Sequence, residues 1–119
     1  MLKPVNILSL TSAMASHAAQ RHAVVADNIA NADTPNYKAR DLVPFADVYA
    51  DSLGAGVALP QSYESEIIDT GDALSPNGNS VSLEDQMMRS ALVQNDHQLS
   101  LMLYKKSMNL MKLAVGKNL

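Results

Sequence analysis

The three histidines of this 119-residue chain, His17, His22 and His97, are the residues whose type best suits metal binding or proton transfer. Their spacing does not support either. His17 and His22 lie five apart, whereas two ligands on one helix face need a separation of four, and neither has an acidic neighbour at ligand spacing. They read as packing or surface histidines. Glu64, Glu66, Asp69 and Asp72 form an acidic patch that could in principle hold an acid–base pair, but a solvated loop explains it better. No glycine-rich phosphate loop and no nucleophile elbow is present. With no cysteine there is no thiolate chemistry and no disulfide framework. One Phe, four Tyr and no Trp offer little to line a substrate pocket. The sequence therefore reads as non-enzymatic, with no catalytic residue, no metal, no cofactor and no small-molecule substrate.

Binding partners are constrained in the same way. The net charge is −3 and no basic face stands out, which argues against nucleic acid. No segment approaches the roughly 20 apolar residues of a membrane span, so direct membrane insertion is not expected. The first 20 residues contain Lys3 and some apolar positions, but Asn6, Ser9, Thr11 and Ser12 interrupt the run. A cleavable leader is not expected. The hydrophobic share of 47% is ordinary, but it is made of seven Met and many Ala rather than aromatics. Small and flexible side chains suit helices packed closely along their lengths. The methionines of "QMM" and "LML" read as core or helix-interface residues rather than as a promiscuous groove.

The elements that must carry such packing are visible in the periodicity. Leu8, Ala15, His22 and Ile29 recur every seven residues, with Ala18, Val25 and Ala32 three positions after the last three of them. Ala19 and Ala26 widen the stripe. A helix of about 25 residues, roughly 38 Å long, is predicted after Pro4, with Asn6 or Ser9 near its N-cap. It should stop between Asn31 and Asp33, because Pro35 disfavours helical geometry at Thr34. Residues 36 to 80 hold four of the five glycines and show little alternation. Short extended pieces are expected at Tyr37–Val43 and Glu66–Ile68, and a turn or two of helix at Phe45–Leu53. Gly54–Ser65 reads as a loop and Thr70–Ser80 as a turn region.

The helical signal returns at Ser80. Ser82 and Asp85 have the spacing of a partial capping box, with Glu84 favouring the positive helix start and Val81 placed as a hydrophobic staple. The run continues without Pro or Gly to Gly116, for about 33 residues or roughly 50 Å. Leu92, Leu99, Leu103, Leu110 and Leu113 form one stripe, broadened by Met87, Met88, Ala91, Met102 and Met108. Lys105, Lys106, Lys112 and Lys117 gather near the end, where cations complement the helix dipole.

The expected fold is all-α. Two long terminal helices pack as a coiled-coil-like hairpin, joined by an irregular, partly extended middle segment. Residues 1–35 form the N-terminal helix and its Asn-rich turn, 36–80 the middle segment and 81–119 the C-terminal helix. The length of the irregular part suggests that neighbours supply some of its order.

Two stretches carry a family resemblance. "DNIANADTPNYKARD" resembles the N-terminal signature of the flagellar axial proteins, in which a helix carries a segment like "NNIANADTPGYKAR". The matching residues are Asn28 to Pro35 and Tyr37 to Arg40; Asp27 and Asn36 stand where Asn and Gly are usual. Asn is the next best residue for a left-handed turn, so the geometry should survive. "SPNGNSVSLEDQM" is similar to the "DGNxVDLExEM" segment of proximal members of the basal-body rod family, with Ser82 in place of Asp and Gln98 at the position of a common Gln. Another type of proximal rod component shares the first motif.

The resemblance implies a structural subunit exported without a cleavable signal peptide. It would assemble in the periplasm into the hollow rod that transmits torque and passes exported subunits. Its partners would be other copies of itself, other rod proteins and the adaptors to the export gate and MS ring. Residues expected at assembly interfaces are Asn28, Ile29, Asn31, Thr34, Pro35 and Tyr37 in the turn, and Leu92, Leu99, Leu103 and Leu110 on the last helix. Asn28 and Asn31 are expected to bond backbone at the helix end and adjacent subunits. Tyr37 is expected to pack the exit strand onto a neighbouring helix. A cytosolic helical-hairpin adaptor is the rival from another class, and a small hydrolase using Glu64 or Glu66 a weaker one.

Overall fold

The computed structural model describes residues 7–68 and 74–116. Three helices and two short strands follow in the order α1 (Ile7–Ala30), β1 (Arg40–Leu42), α2 (Phe45–Ala55), β2 (Ser65–Ile67) and α3 (Leu83–Gly116). The molecule is elongated, 67 × 28 × 18 Å, because α3 alone runs 34 residues.

α1 and α3 are antiparallel. Asn28 at the end of α1 meets Gln86 at the start of α3, and Leu8 shares a groove with Met111 and Val115 at the other end. The seam between them repeats every seven residues on both sides. Thr11, Ala18 and Val25 are buried on α1; Gln86, Val93, Ser100 and Ser107 are buried on α3. Small side chains allow the close approach. The buried hydroxyls need no partner across the seam, because Thr11 donates to Ile7 O (2.8 Å), Ser100 to Asp96 O (2.7 Å) and Ser107 to Leu103 O (2.8 Å) of their own helices.

The periodic stripes divide differently between the seam and the outside. The leucine stripe of α3 is not the centre of the seam: Leu92, Leu99, Leu103, Leu110 and Leu113 are all exposed, Leu110 by 67%. The face turned to α1 is the one with small side chains, Val93, Ser100 and Ser107, which permits a shorter interaxial distance than the leucines would. On α1, Ala18 and Val25 are buried as expected, but His22, Ile29, Ala19 and Ala26 face outward. Ser9 lies within α1 rather than at its cap, and Asn6 falls outside the described residues.

The middle segment carries the expected extended pieces, at β1 and β2, and a helix longer than expected at α2, so the fold is mostly rather than wholly helical. β1 and β2 pair antiparallel, with Arg40 opposite Ile67, Asp41 opposite Glu66 and Leu42 opposite Ser65. α2 begins after Pro44 and ends at Gly56, whose positive φ of 67° lets the chain reverse while Gly56 N–H bonds Leu53 O (3.2 Å) and Val57 N–H bonds Ser52 O (3.1 Å). Ser82 Oγ accepts the Asp85 N–H (3.3 Å) at the start of α3, as a capping residue should.

Candidate functional site

The Asn-rich signature folds into a polar junction where α1, β1, the 75–82 turn and the start of α3 converge. Asn28 is at its centre and is fully buried. Its Nδ2 donates to Arg40 O (2.7 Å) and Gln86 Oε1 (3.0 Å). Its Oδ1 accepts from Arg40 N–H (3.1 Å) and the Tyr37 hydroxyl (3.1 Å). Both donors and both acceptor positions of the carboxamide are used within the chain. The part of the expectation that has Asn28 bonding backbone at the helix end matches these contacts, which occupy the whole carboxamide inside the chain. Tyr37 turns back onto α1 of its own chain. Its burial, and next the charge of Asp27, push the phenol above its ordinary pKa, so it stays a neutral donor.

Asn31 closes the helix end. Its Nδ2 donates to Asp27 O (2.8 Å) and its Oδ1 accepts from Thr34 Oγ1 (3.0 Å). Asn79, from the other side of the chain, completes the cap: Nδ2 donates to both Asn31 O (2.8 Å) and Thr34 O (2.7 Å), and Oδ1 accepts from Val81 N–H (2.7 Å). Asn36 takes the left-handed conformation, φ 63°, and its N–H bonds Asn77 O (2.9 Å). Lys38 Nζ reaches Gly78 O (2.7 Å), and Ser80 Oγ accepts the Ala39 N–H (2.8 Å). The "SPNGNS" turn is thus fastened to the "ADTPNYKA" turn along its length.

Beneath this lies a charge cluster. Asp41, buried on β1, takes a two-pronged bond from Arg21 of α1 (2.9 and 3.0 Å) and a second guanidinium from Arg89 of α3. Arg89 also bonds Asp85 (2.7 Å), and Arg21 lies 3.9 Å from Asp96. Burial works to raise the Asp41 carboxyl, but the bonds and charge of Arg21, the Leu42 N–H and Arg89 outweigh it and hold the group below its ordinary value. Burial likewise works against the Arg89 charge, and Asp85 with Asp41 outweigh it and raise that guanidinium. One carboxylate thereby ties both terminal helices to β1.

A second anchor holds the middle segment against α1. His17 Nε2 lies 2.8 Å from Val43 O, and its ring meets Phe45 and Tyr63 edge to face at 5.5 and 4.9 Å. The Tyr63 hydroxyl donates to Ala13 O (3.2 Å), and Gln20 bonds both Tyr63 N–H and Gln61 O. His17 is a packing residue here. His22 and His97 line a shallow groove beside Val93. Glu64 and Glu66 are exposed, and Asp69 and Asp72 lie outside the described residues.

The expected assembly residues thus divide. Asn28 and Tyr37 are internal fasteners. Ile29, Thr34 and Pro35 are exposed at the junction end, with Asn31 half-buried beside them, and Leu92, Leu99, Leu103 and Leu110 form an exposed line down α3. Sequence reasoning missed Arg21, Asp41, Asn79, Gln86 and Arg89. The seven-residue recurrence of Gln86 with Val93, Ser100 and Ser107 was the available signal for the seam; the pairing of Asp41 with Arg21 and Arg89 left none, since the partners lie 20 and 48 residues away.

A family model described as "Flagella basal body rod protein" matches residues 7–38, which are α1 and the signature turn. The chain is also 32% identical, over 98% of its length and 97% of the relative's, to the protein named "Flagellar basal body rod protein FlgB" of Agrobacterium fabrum (strain C58 / ATCC 33970). Identity at that level across both terminal helices and the junction between them shows that this chain belongs to the flagellar basal body rod proteins and is FlgB-like.

Proposed function

We propose that the chain is a subunit of the proximal rod, assembling helically through its terminal helices into the hollow drive shaft that carries torque and passes exported subunits. In this reading the 1–35 and 81–119 segments form a coiled-coil-like hairpin in the rod wall, and the 36–80 segment sits against it. The seven-residue seam supports that description. The subunit acts in the periplasm, beside further copies of itself, other rod proteins and the adaptors that join the rod to the export gate and MS ring.

One observation carries the proposal. α3 leaves Leu92, Leu99, Leu103 and Leu110 exposed along its length, Leu99 at the edge of its contact with α1, and a contiguous apolar line of this kind marks an interaction surface. The polar junction fixes the helix pair from within, so that this line is presented in one orientation. Ile29, Thr34 and Pro35, with Asn31 half-buried beside them, form the surface at the junction end.

The test is to purify hook–basal bodies from the source cells and identify the chain by mass spectrometry after a wash that strips soluble protein. Retention with the rod proteins is expected; absence from well-formed basal bodies would overturn the proposal. Asn31→Ala with Tyr37→Ala should impair rod assembly and motility, and unchanged motility would remove the junction from the assembly role.

A further inference from the structure

Two separate patches of the molecule carry opposite charge. Lys105, Lys106 and Lys112 are exposed on the last turns of α3, and among the described residues none of them has an ion-pair partner. The other described cations are engaged: Arg21 and Arg89 by Asp41, Arg40 by Ser65 and Lys38 by Gly78. Interleaved with the lysines are Leu110, Met111, Leu113 and Val115, between 49% and 67% exposed. α1 has run out here, Leu8 being its last contribution to the groove beside Met111. The middle segment has the opposite character. A groove of about 430 Å³ between α2 and the irregular segment leading into β2 is lined by Val43, Val48, Val57 and Pro60, and is rimmed by the exposed carboxylates of Asp51 and Glu64. Neither carboxylate has an ion-pair partner among the described residues.

We propose that the lysine-bearing end of α3 docks into the α2 groove of a second copy of this chain, Met111 and Val115 entering the groove while Lys105, Lys106 and Lys112 meet Asp51 and Glu64. This deepens the rod reading and rests on it. The apolar parts match in kind and the charges match in sign. The two surfaces are different patches of one molecule, so a head-to-tail contact between them leaves each copy with one free patch for the next copy. Within one chain the tip of α3 lies beside Leu8 at the start of α1, while the groove is fastened to α1 at Ala13, His17 and Gln20. Exposed ion pairs add little strength, so the apolar residues hold the contact and the charges set its polarity.

Because the chain has no cysteine, introduced pairs report cleanly. Full-length Met111→Cys and Val57→Cys chains are purified separately, mixed and mildly oxidised, with Met111→Cys and Leu83→Cys as the control pair. The expected result is about tenfold more Met111→Cys/Val57→Cys heterodimer than control, a preference abolished by Lys105→Glu with Lys106→Glu and restored when the acceptor carries Asp51→Lys and Glu64→Lys. Equal yields for the two pairs, or no response to charge reversal and rescue, would overturn the contact. The same pair is then followed in purified rods. Chains present in rods without the adduct would overturn the contact and leave the rod reading standing. The adduct in solution with chains absent from rods would do the reverse.

Discussion

The side chain of Asn28 stands against the backbone of Arg40 where a third strand would. Arg40 points its N–H and C=O away from β2, and the carboxamide accepts from one at 3.1 Å and donates to the other at 2.7 Å. A helix side chain thus closes a sheet edge that would otherwise be buried with its polar groups unmet. The same carboxamide takes the Tyr37 hydroxyl and Gln86 as its remaining partners. Helix end, strand and second helix are therefore fixed by one residue.

Asn28→Ala should cost about 2–4 kcal/mol, since it strands several buried partners at about 1–3 kcal/mol for each group left unsatisfied. Urea unfolding of the purified chain checks this, read as a fall in midpoint with an unchanged slope. Asn28→Asp should be nearly as harmful, because a carboxylate cannot donate to Arg40 O or Gln86. Retention of wild-type stability by the Ala variant would show that the junction is not a single unit.

Asp41 gives the fold an acid limit. Its carboxyl is held below the ordinary value of 3.8, so the unfolded chain binds the proton more readily than the folded one. The stabilisation is complete above about pH 4 to 5, and is lost as pH falls through the folded value. Asp41→Asn should flatten this part of the stability profile and lower stability at neutral pH by about 3 kcal/mol, because Arg21 and Arg89 lose a buried counter-charge. Unfolding at pH 7 and at pH 3 in the two chains is the measurement; a wild-type profile that falls just as steeply without Asp41 would assign the limit elsewhere.

Much of this was readable beforehand, and the gaps have physical reasons. The end of α1, the Ser82 cap and the placement of α2 follow from local chemistry that the sequence states directly. The register of the helix pair does not. Periodicity shows that α3 has an apolar face, but a chain that assembles has two faces to satisfy, and hydrophobicity alone favours the wrong one. Ser100 and Ser107 look like solvent positions because their hydroxyls bond their own helix, which no spacing rule shows. Asn79 and Asp41 act through partners distant in sequence, so only the folded chain brings them together.

Gly78 and Asn36 should be energetically coupled. Gly78 has φ 81°, and a Cβ there would come within 2.3 Å of Asn36 Oδ1. Gly78→Ala should cost about 1–2 kcal/mol from the left-handed backbone and the displaced amide. In an Asn36→Gly background the clash disappears and only the backbone part remains. A double-mutant cycle by urea unfolding should therefore show a favourable coupling of about 0.5 kcal/mol or more. Strict additivity would mean that the Asn36 side chain moves aside freely.

Neighbouring residues of α3 should separate folding from assembly. Val93 is fully buried in the seam, while Leu92 beside it is half exposed and Leu110 more so. Val93→Asp places an unpaired charge between the helices and should unfold the isolated chain. Leu92→Asp and Leu110→Asp should change its stability by no more than about 0.5 kcal/mol, as substitutions outside the core usually do. The same two variants should fail to enter rods if, as proposed, their positions are covered by apolar partners in the assembled wall. Circular dichroism of the purified variants reads the first effect, and the amount of chain retained in washed basal bodies reads the second. Normal incorporation of Leu92→Asp together with Leu110→Asp would mean that the exposed leucine line is not the assembly surface. Loss of helicity in those variants would mean that α1 and α3 depend on that line even before they meet a neighbour.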